Sequence, residues 1–132
     1  MYLLDTNVCI HLLNNRHSQI EKHFRASSPS EIALCSIVKA ELLFAARHSK
    51  KVEANLQLLT HFFAPLRSLP FDDRCAQEYG LIRADLSSQG KIIGPNDLLI
   101  AAIARAYDAV LVTLNTEEFT RVTGLRLEDW QL

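Results

Sequence analysis

Ala109-Val110-Leu111-Val112-Thr113 is an unbroken apolar run rich in β-branched residues, and the fold class turns on it. A strand with one wet face alternates polar and apolar residues; this run does not, so both of its faces need cover, as in a parallel sheet with helices on each side. The chain upstream supplies the helices. Pro95 through Tyr107 starts with proline at a first helical position, and Asp73 through Ser87 is helical until Gly90. Leu66 to Phe71 is a predicted third strand, with Pro70 placing it at an edge or a strand end. Lys51 to Phe63 carries Val52, Leu56, Leu59 and Phe63 at helical spacing and stops at Pro65. Ile37 to about His48 is another helix, with Ser36 placed to cap it, and Glu31 to Cys35 reads as a buried strand. Residues 26–30 form a loop after a short helix from Ser18 to Phe24. At the start, Tyr2-Leu3-Leu4 is a strand that hands over through Asp5-Thr6-Asn7 to a helix with Val8, Ile10, Leu12 and Leu13. Strands alternating with helices predict an α/β fold, with three layers (α/β/α) and a mostly parallel central sheet.

The 132 residues, 48% hydrophobic and 22% charged, have the composition of one globular domain spanning 1–132, and no linker divides them. At this length about two-thirds of the unfolded surface is buried, so a core forms without staples. The net charge of -1 gives no global positive field for nucleic acid, so a polyanion would be held by local patches or a metal. Asp5 interrupts the first apolar run, so no signal peptide is read, and Leu98 to Ala104 is far short of the ~20 residues of a membrane helix. The expectation is a cytoplasmic protein without membrane contact. Cys9, Cys35 and Cys75 show no C-x-x-C pair and read as small buried hydrophobes.

In open parallel sheets, function collects beyond the carboxyl ends of the strands. There Asp5 ends the first strand, Ser36 and then Glu41 follow the second, Asp97 opens the helix before the Ala109 strand, and Asn115 and Glu118 follow that strand. Taken singly, each has a plain structural role: Asp5 and Asp97 as helix-start carboxylates, Asn115 as a turn residue, Glu118 as a solvated side chain. Glu41 shares an i, i+4 stripe with Ile37 and Ala45 and is predicted to face the core, where an acid needs a partner. Three acids with no basic residue among them are most simply reconciled by a hard divalent cation, magnesium or manganese. Zinc fits poorly, because His11, His17, His23, His48 and His61 have no ligand spacing. With four glycines, no dinucleotide or triphosphate loop can be written, and no serine elbow or Cys/His pair is present. What remains is metal-assisted phosphodiester hydrolysis.

Leu3-Leu4-Asp5-Thr6-Asn7, Ser36-Ile37-Val38-Lys39-Ala40-Glu41-Leu42, the segment from Ile93 to Ala102 and the segment from Leu111 to Phe119 follow one another along nearly the whole chain. In these four segments the sequence resembles the PIN-domain ribonucleases, in particular the VapC-type toxins of bacterial toxin–antitoxin pairs. The resemblance implies Asp5, Glu41 and Asp97 as metal ligands for Mg2+ or Mn2+, with Asn115 completing the catalytic set where some members carry an acid. It implies auxiliary roles for Glu118, as an extra carboxylate, and Thr6, as a group orienting Asp5 or a metal-bound water. It further implies a metal-dependent endoribonuclease that leaves a 3′-hydroxyl and a 5′-phosphate, with structured RNA such as tRNA as a frequent substrate. A cognate antitoxin that blocks the acidic site and covers an apolar groove is implied too, together with a homodimer. Backbone contacts to RNA are expected from Arg47, Lys50 and Lys51, or from Lys91. The uncharged stretch from Ala54 to Leu66, with Phe62 and Phe63, is either a partner-binding helix or a fully buried one.

Two other enzymes fit less well. An aspartyl phosphotransferase wants an acid where Asn7 stands, and a receiver domain wants an acidic pair after the first strand and a lysine after the last. The non-enzymatic alternative is a catalytically silent PIN-like module that only binds a partner.

Overall fold

The computed structural model describes residues 1–132. In chain order it contains β1 (Tyr2–Leu4), α1 (Thr6–Leu13), α2 (Ser18–Ala26), a 3-10 turn (Pro29–Glu31), β2 (Ile32–Cys35), α3 (Ser36–Arg47), α4 (Val52–Phe63), β3 (Arg67–Leu69), α5 (Asp73–Ser88), α6 (Pro95–Ala106), β4 (Val110–Val112), α7 (Thr116–Phe119) and β5 (Leu127–Glu128). The strands form one sheet in the order β3-β2-β1-β4-β5, and every pairing is parallel. Tyr2 pairs with Ile32 on one side and Val110 on the other.

Consecutive strand residues point to opposite faces. Leu3 and Leu4, all four residues of β2, and Leu111 and Val112 are nonetheless buried, so helices cover both faces as the apolar runs required. On one set of contacts α1, α3 and α4 pack together; on another, α5 packs along α6, whose Ile100 through Ala104 are all fully buried. No helix is long and apolar enough to cross a membrane. The three cysteines are free and buried. Behind the sheet the tail is anchored by Trp130, 2% exposed, which meets the Tyr2 ring edge-on at 5.5 Å and stacks on His23 at 5.5 Å.

Several expectations need correction. The Ala109 strand is not the last: β5, only two residues long, lies outside it and gives the sheet its second edge. Ser36 does not cap α3. It is the first helical residue, Cys35 holds the cap position, and the Ser36 hydroxyl accepts the Phe71 N–H at 3.3 Å, tying α3 to the chain after β3. The stretch from Ala54 is neither fully buried nor wholly free: Leu59 is buried, while Leu58 stays 46% exposed in a groove with α1 and α3.

Candidate active site

The strand order runs outward in both directions from β1 and β4, whose adjacent carboxyl ends are the point where ligands of such sheets bind. Asp5 leaves β1 there and serves as the N-cap of α1, one carboxylate oxygen accepting the Thr6 N–H at 2.8 Å. The other oxygen accepts the hydroxyl of Thr113, fully buried at the end of β4, at 2.8 Å. Asp5 is itself only 6% exposed. Desolvation raises its pKa, the two donors oppose that rise, and the charges of Glu41 and Glu118 add to it.

Glu41 does not face the core. The buried stripe of α3 is Val38, Leu42 and Ala46, and Ala45 is exposed, so the stripe shared with Ile37 runs along the edge of the packed face. At that edge Glu41 accepts the Thr6 hydroxyl at 2.8 Å. Thr6 therefore orients Glu41 with its hydroxyl, and Asp5 only with its backbone.

Asp97 lies in the first turn of α6, after Gly94 at the cap and Pro95. A methyl group on Gly94 would stand 3.5 Å from one Asp97 oxygen and 3.9 Å from one of Glu118, so both acids border the same spot. Glu118, in α7, is not a free surface acid: it accepts the Gly94 N–H at 2.9 Å and the Asn115 side-chain amide. Asn115 is held in turn by its N–H, donated to the Thr113 hydroxyl at 3.0 Å. Desolvation, then the charge of Glu118 and more weakly those of Asp5 and Glu41, push Asp97 up to about 7.

Asp5 and Asp97 thus each feel the charges of Glu41 and Glu118, and none of the four acids takes part in any of the chain's four ion pairs. An all-oxygen donor set with excess negative charge and no bridging lysine or arginine fits a hard divalent cation. As the side chains stand, no three of them meet closely enough to ligate one ion. Glu41 and Glu118 are held back by their own hydrogen bonds, to Thr6 and to Gly94 and Asn115.

Among the expected basic residues, Lys91 stands exposed in the loop that leads into Gly94; Arg121, which the sequence did not single out, donates to the Ile92 carbonyl of the same loop at 3.2 Å. Arg47 is six residues further along α3 than Glu41, a rise of about 9 Å along the helix axis at 1.5 Å per residue. Lys50 and Lys51 follow in the next loop, both exposed. Sequence reasoning missed Thr113, which links Asp5 to Asn115. The available signal was a hydroxyl closing an otherwise apolar strand.

The raised pKa of Asp97 makes its role as a ligand testable by pH. A cation held by Asp97 would compete with its proton, so the apparent affinity for Mg2+ should then be flat above about pH 7 and fall by up to tenfold per unit below it. Calorimetric titration at a series of pH values checks this, and an affinity unchanged from pH 8 to pH 6 would exclude Asp97 as a ligand.

Comparison with known proteins agrees with this architecture. Residues 2–125 match the family model of the PIN domain. The chain is 37% identical over 129 residues to the tRNA(fMet)-specific endonuclease VapC of Shigella flexneri, covering 98% of this chain and 97% of the relative. It is 40% identical over 131 residues to ribonuclease VapC2 of Rickettsia felis, covering 98% of each. Among solved structures, the crystal structure of VapBC2 from Rickettsia felis bound to a promoter DNA fragment superimposes with a TM-score of 0.91 at 40% identity, again over 98% of both chains. DNA-bound VapBC from Salmonella typhimurium gives 0.92 at 37% identity, over 98% of this chain and 97% of the other.

Proposed function

This chain belongs to the PIN-domain family, in its VapC branch, and from that premise we propose that it is the ribonuclease toxin of a toxin–antitoxin pair, cutting RNA with Mg2+ or Mn2+ held on Asp5, Glu41 and Asp97. The observation that carries the reading is the set of four carboxylates without a cationic partner at the switch point of a parallel sheet. A divalent ion in that position supplies a water activated at neutral pH and offsets the charge that develops on the phosphate.

The chain's own groups then divide the work. Asp5 is the most buried of the acids, pinned by the Thr6 N–H and the Thr113 hydroxyl, and would anchor the cation. Glu41, steadied by the Thr6 hydroxyl, approaches from α3, and Asp97 from α6. Asn115 carries no charge, so its carboxamide serves by holding Glu118. A specific substrate is suggested by the relative named for tRNA(fMet), and a tRNA is the RNA class to try first. Lys91, exposed in the loop before Gly94, and Arg121, bonded to the Ile92 carbonyl of that loop, are the cations to test for contact with its backbone.

The antitoxin partner is supported by the groove between α1, α3 and α4. Ile10, Leu13, Leu42, Ala45, Leu58 and Leu59 line it, and an amphipathic helix laid there buries apolar surface that the isolated chain leaves wet. The catalytically silent alternative gains nothing from an acid set that is intact.

The direct test is cleavage of total RNA by the purified, antitoxin-free chain with Mg2+ or Mn2+, beside Asp5→Asn protein and an EDTA control. Discrete fragments are expected from the wild type alone, and none after EDTA. Fragments that persist in EDTA would remove the metal from the reading, and inert wild-type protein would leave only the partner-binding role.

A further inference from the structure

A cleft of about 580 Å³ opens directly beside the acids, lined by Thr6, Asn7, Ile10, Ile37, Ala40, Glu41, Phe44 and Asn96. Its size is that of a small organic ligand site. Thr6 and Glu41 belong to both the cleft and the catalytic edge, so a nucleotide next to the scissile phosphate reaches into it. One wall is the ring of Phe44, which is 70% exposed. His48 stacks on that ring at 5.6 Å and 12°, steadying it while most of its surface stays open. Asn7 and Asn96, both exposed, line the same cleft, and neither carboxamide is engaged in the hydrogen bonds that organise the acids.

No lysine or arginine lines the cleft, and Glu41 does, so it repels a second phosphate. An apolar helix suits it poorly as well, because half of its lining is polar; the mostly apolar groove next to it is the better seat for that. A flat aromatic face with free carboxamides beside it matches an unpaired nucleobase, which offers a π-face for stacking and an edge with both donors and acceptors. We propose that this cleft holds an unpaired base of the RNA substrate flanking the cut bond, stacked on Phe44, with Asn7 and Asn96 reading its edge. The assignment rests on the ribonuclease reading and adds to it the part of the substrate recognised.

The test compares wild type with Phe44→Leu, which keeps apolar bulk but loses the ring, and Phe44→Trp, which keeps it. The probe is a short fluorescein-labelled single-stranded RNA of mixed sequence. Its binding is followed by anisotropy in EDTA and its cleavage in Mn2+. Phe44→Leu should weaken binding and lower kcat/KM by about tenfold or more, with Phe44→Trp equal to wild type or better. Once the cut bond is mapped, an RNA with an abasic residue beside it should be cut equally slowly by wild type and Phe44→Leu. Because Phe44 is a surface residue, melting temperatures should not move.

Wild-type binding and kinetics in Phe44→Leu would overturn the subsite while leaving the ribonuclease intact. So would a loss that persists in full on the abasic RNA. If Phe44→Leu instead loses antitoxin binding or self-association with unchanged RNA kinetics, the face is a protein contact and the assignment is wrong. Wild-type protein that cuts no RNA would overturn the ribonuclease reading, and the subsite with it.

Discussion

Asp97→Asn is expected to move activity and stability in opposite directions. RNA cleavage should fall by at least about a hundredfold to a thousandfold, the scale on which removal of one preorganised charge-stabilising group acts. The metal-free fold should become more stable. Asp97 is pushed up to about 7 in the folded chain against 3.8 for the free side chain, so between these values the folded state retains a proton that the unfolded state has released. Its contribution to stability is then full at low pH and is lost as pH rises through about 7. At pH 8 the ionised group is a burden, which we put at roughly 1–2 kcal/mol after discounting for solvent screening. Asparagine removes it. In EDTA at pH 8 the variant should melt several degrees above wild type, and the gap should close as pH falls toward 4. With Mg2+ added, the wild type should gain and the variant should not. A metal-free variant that melts at or below the wild-type temperature at pH 8 would show that Asp97 is not under strain.

Thr113→Val is the second large effect, and it comes from a residue that touches no substrate. The substitution keeps the shape of a fully buried side chain and deletes the one hydroxyl that joins Asp5 to the Asn115 backbone. Asp5 is left with a buried oxygen short of a donor, a loss of about 1–3 kcal/mol in stability. Its pKa, already raised by burial, should rise further, because Thr113 is the largest influence holding it down. Activity should drop by about 10–100-fold, as for other groups that orient a metal ligand. The acid limb of the pH–rate profile should move upward in the same variant. Thr113→Ser, which retains the hydroxyl, should restore both the activity and the acid limb. If valine lowered stability but left the profile where it was, Thr113 would be a packing residue only.

Much of this architecture is legible in the chain itself. The apolar run ending at Val112 required cover on both faces, and Pro70 placed its strand at an edge; β4 and β3 occupy those positions. Asp5, Glu41, Asp97 and Glu118 fall at strand and helix ends on one side because a parallel sheet points every carboxyl end the same way. Three features were hidden, each for a physical reason. The strand β5 has two residues and no periodicity to detect. Glu41 sits where a helix passes from its buried stripe to its open edge, a rotation smaller than periodicity resolves. Thr113 looked like the end of a β-branched run, and only its partner across the sheet gives the hydroxyl a meaning.

The bond between Thr113 and Asp5 joins positions separated by 108 residues. The first strand cannot acquire its neighbour β4, nor Asp5 its second donor, until the chain has been made past Thr113. A chain stalled or cut short before that point has Asp5, Glu41 and Asp97 yet lacks the strand that organises them. The all-parallel topology thus makes the acid edge a long-range construction: a residue at one end of the chain is organised only by a partner 108 positions away, so truncation before β4 leaves the acids in the chain without the frame that holds them.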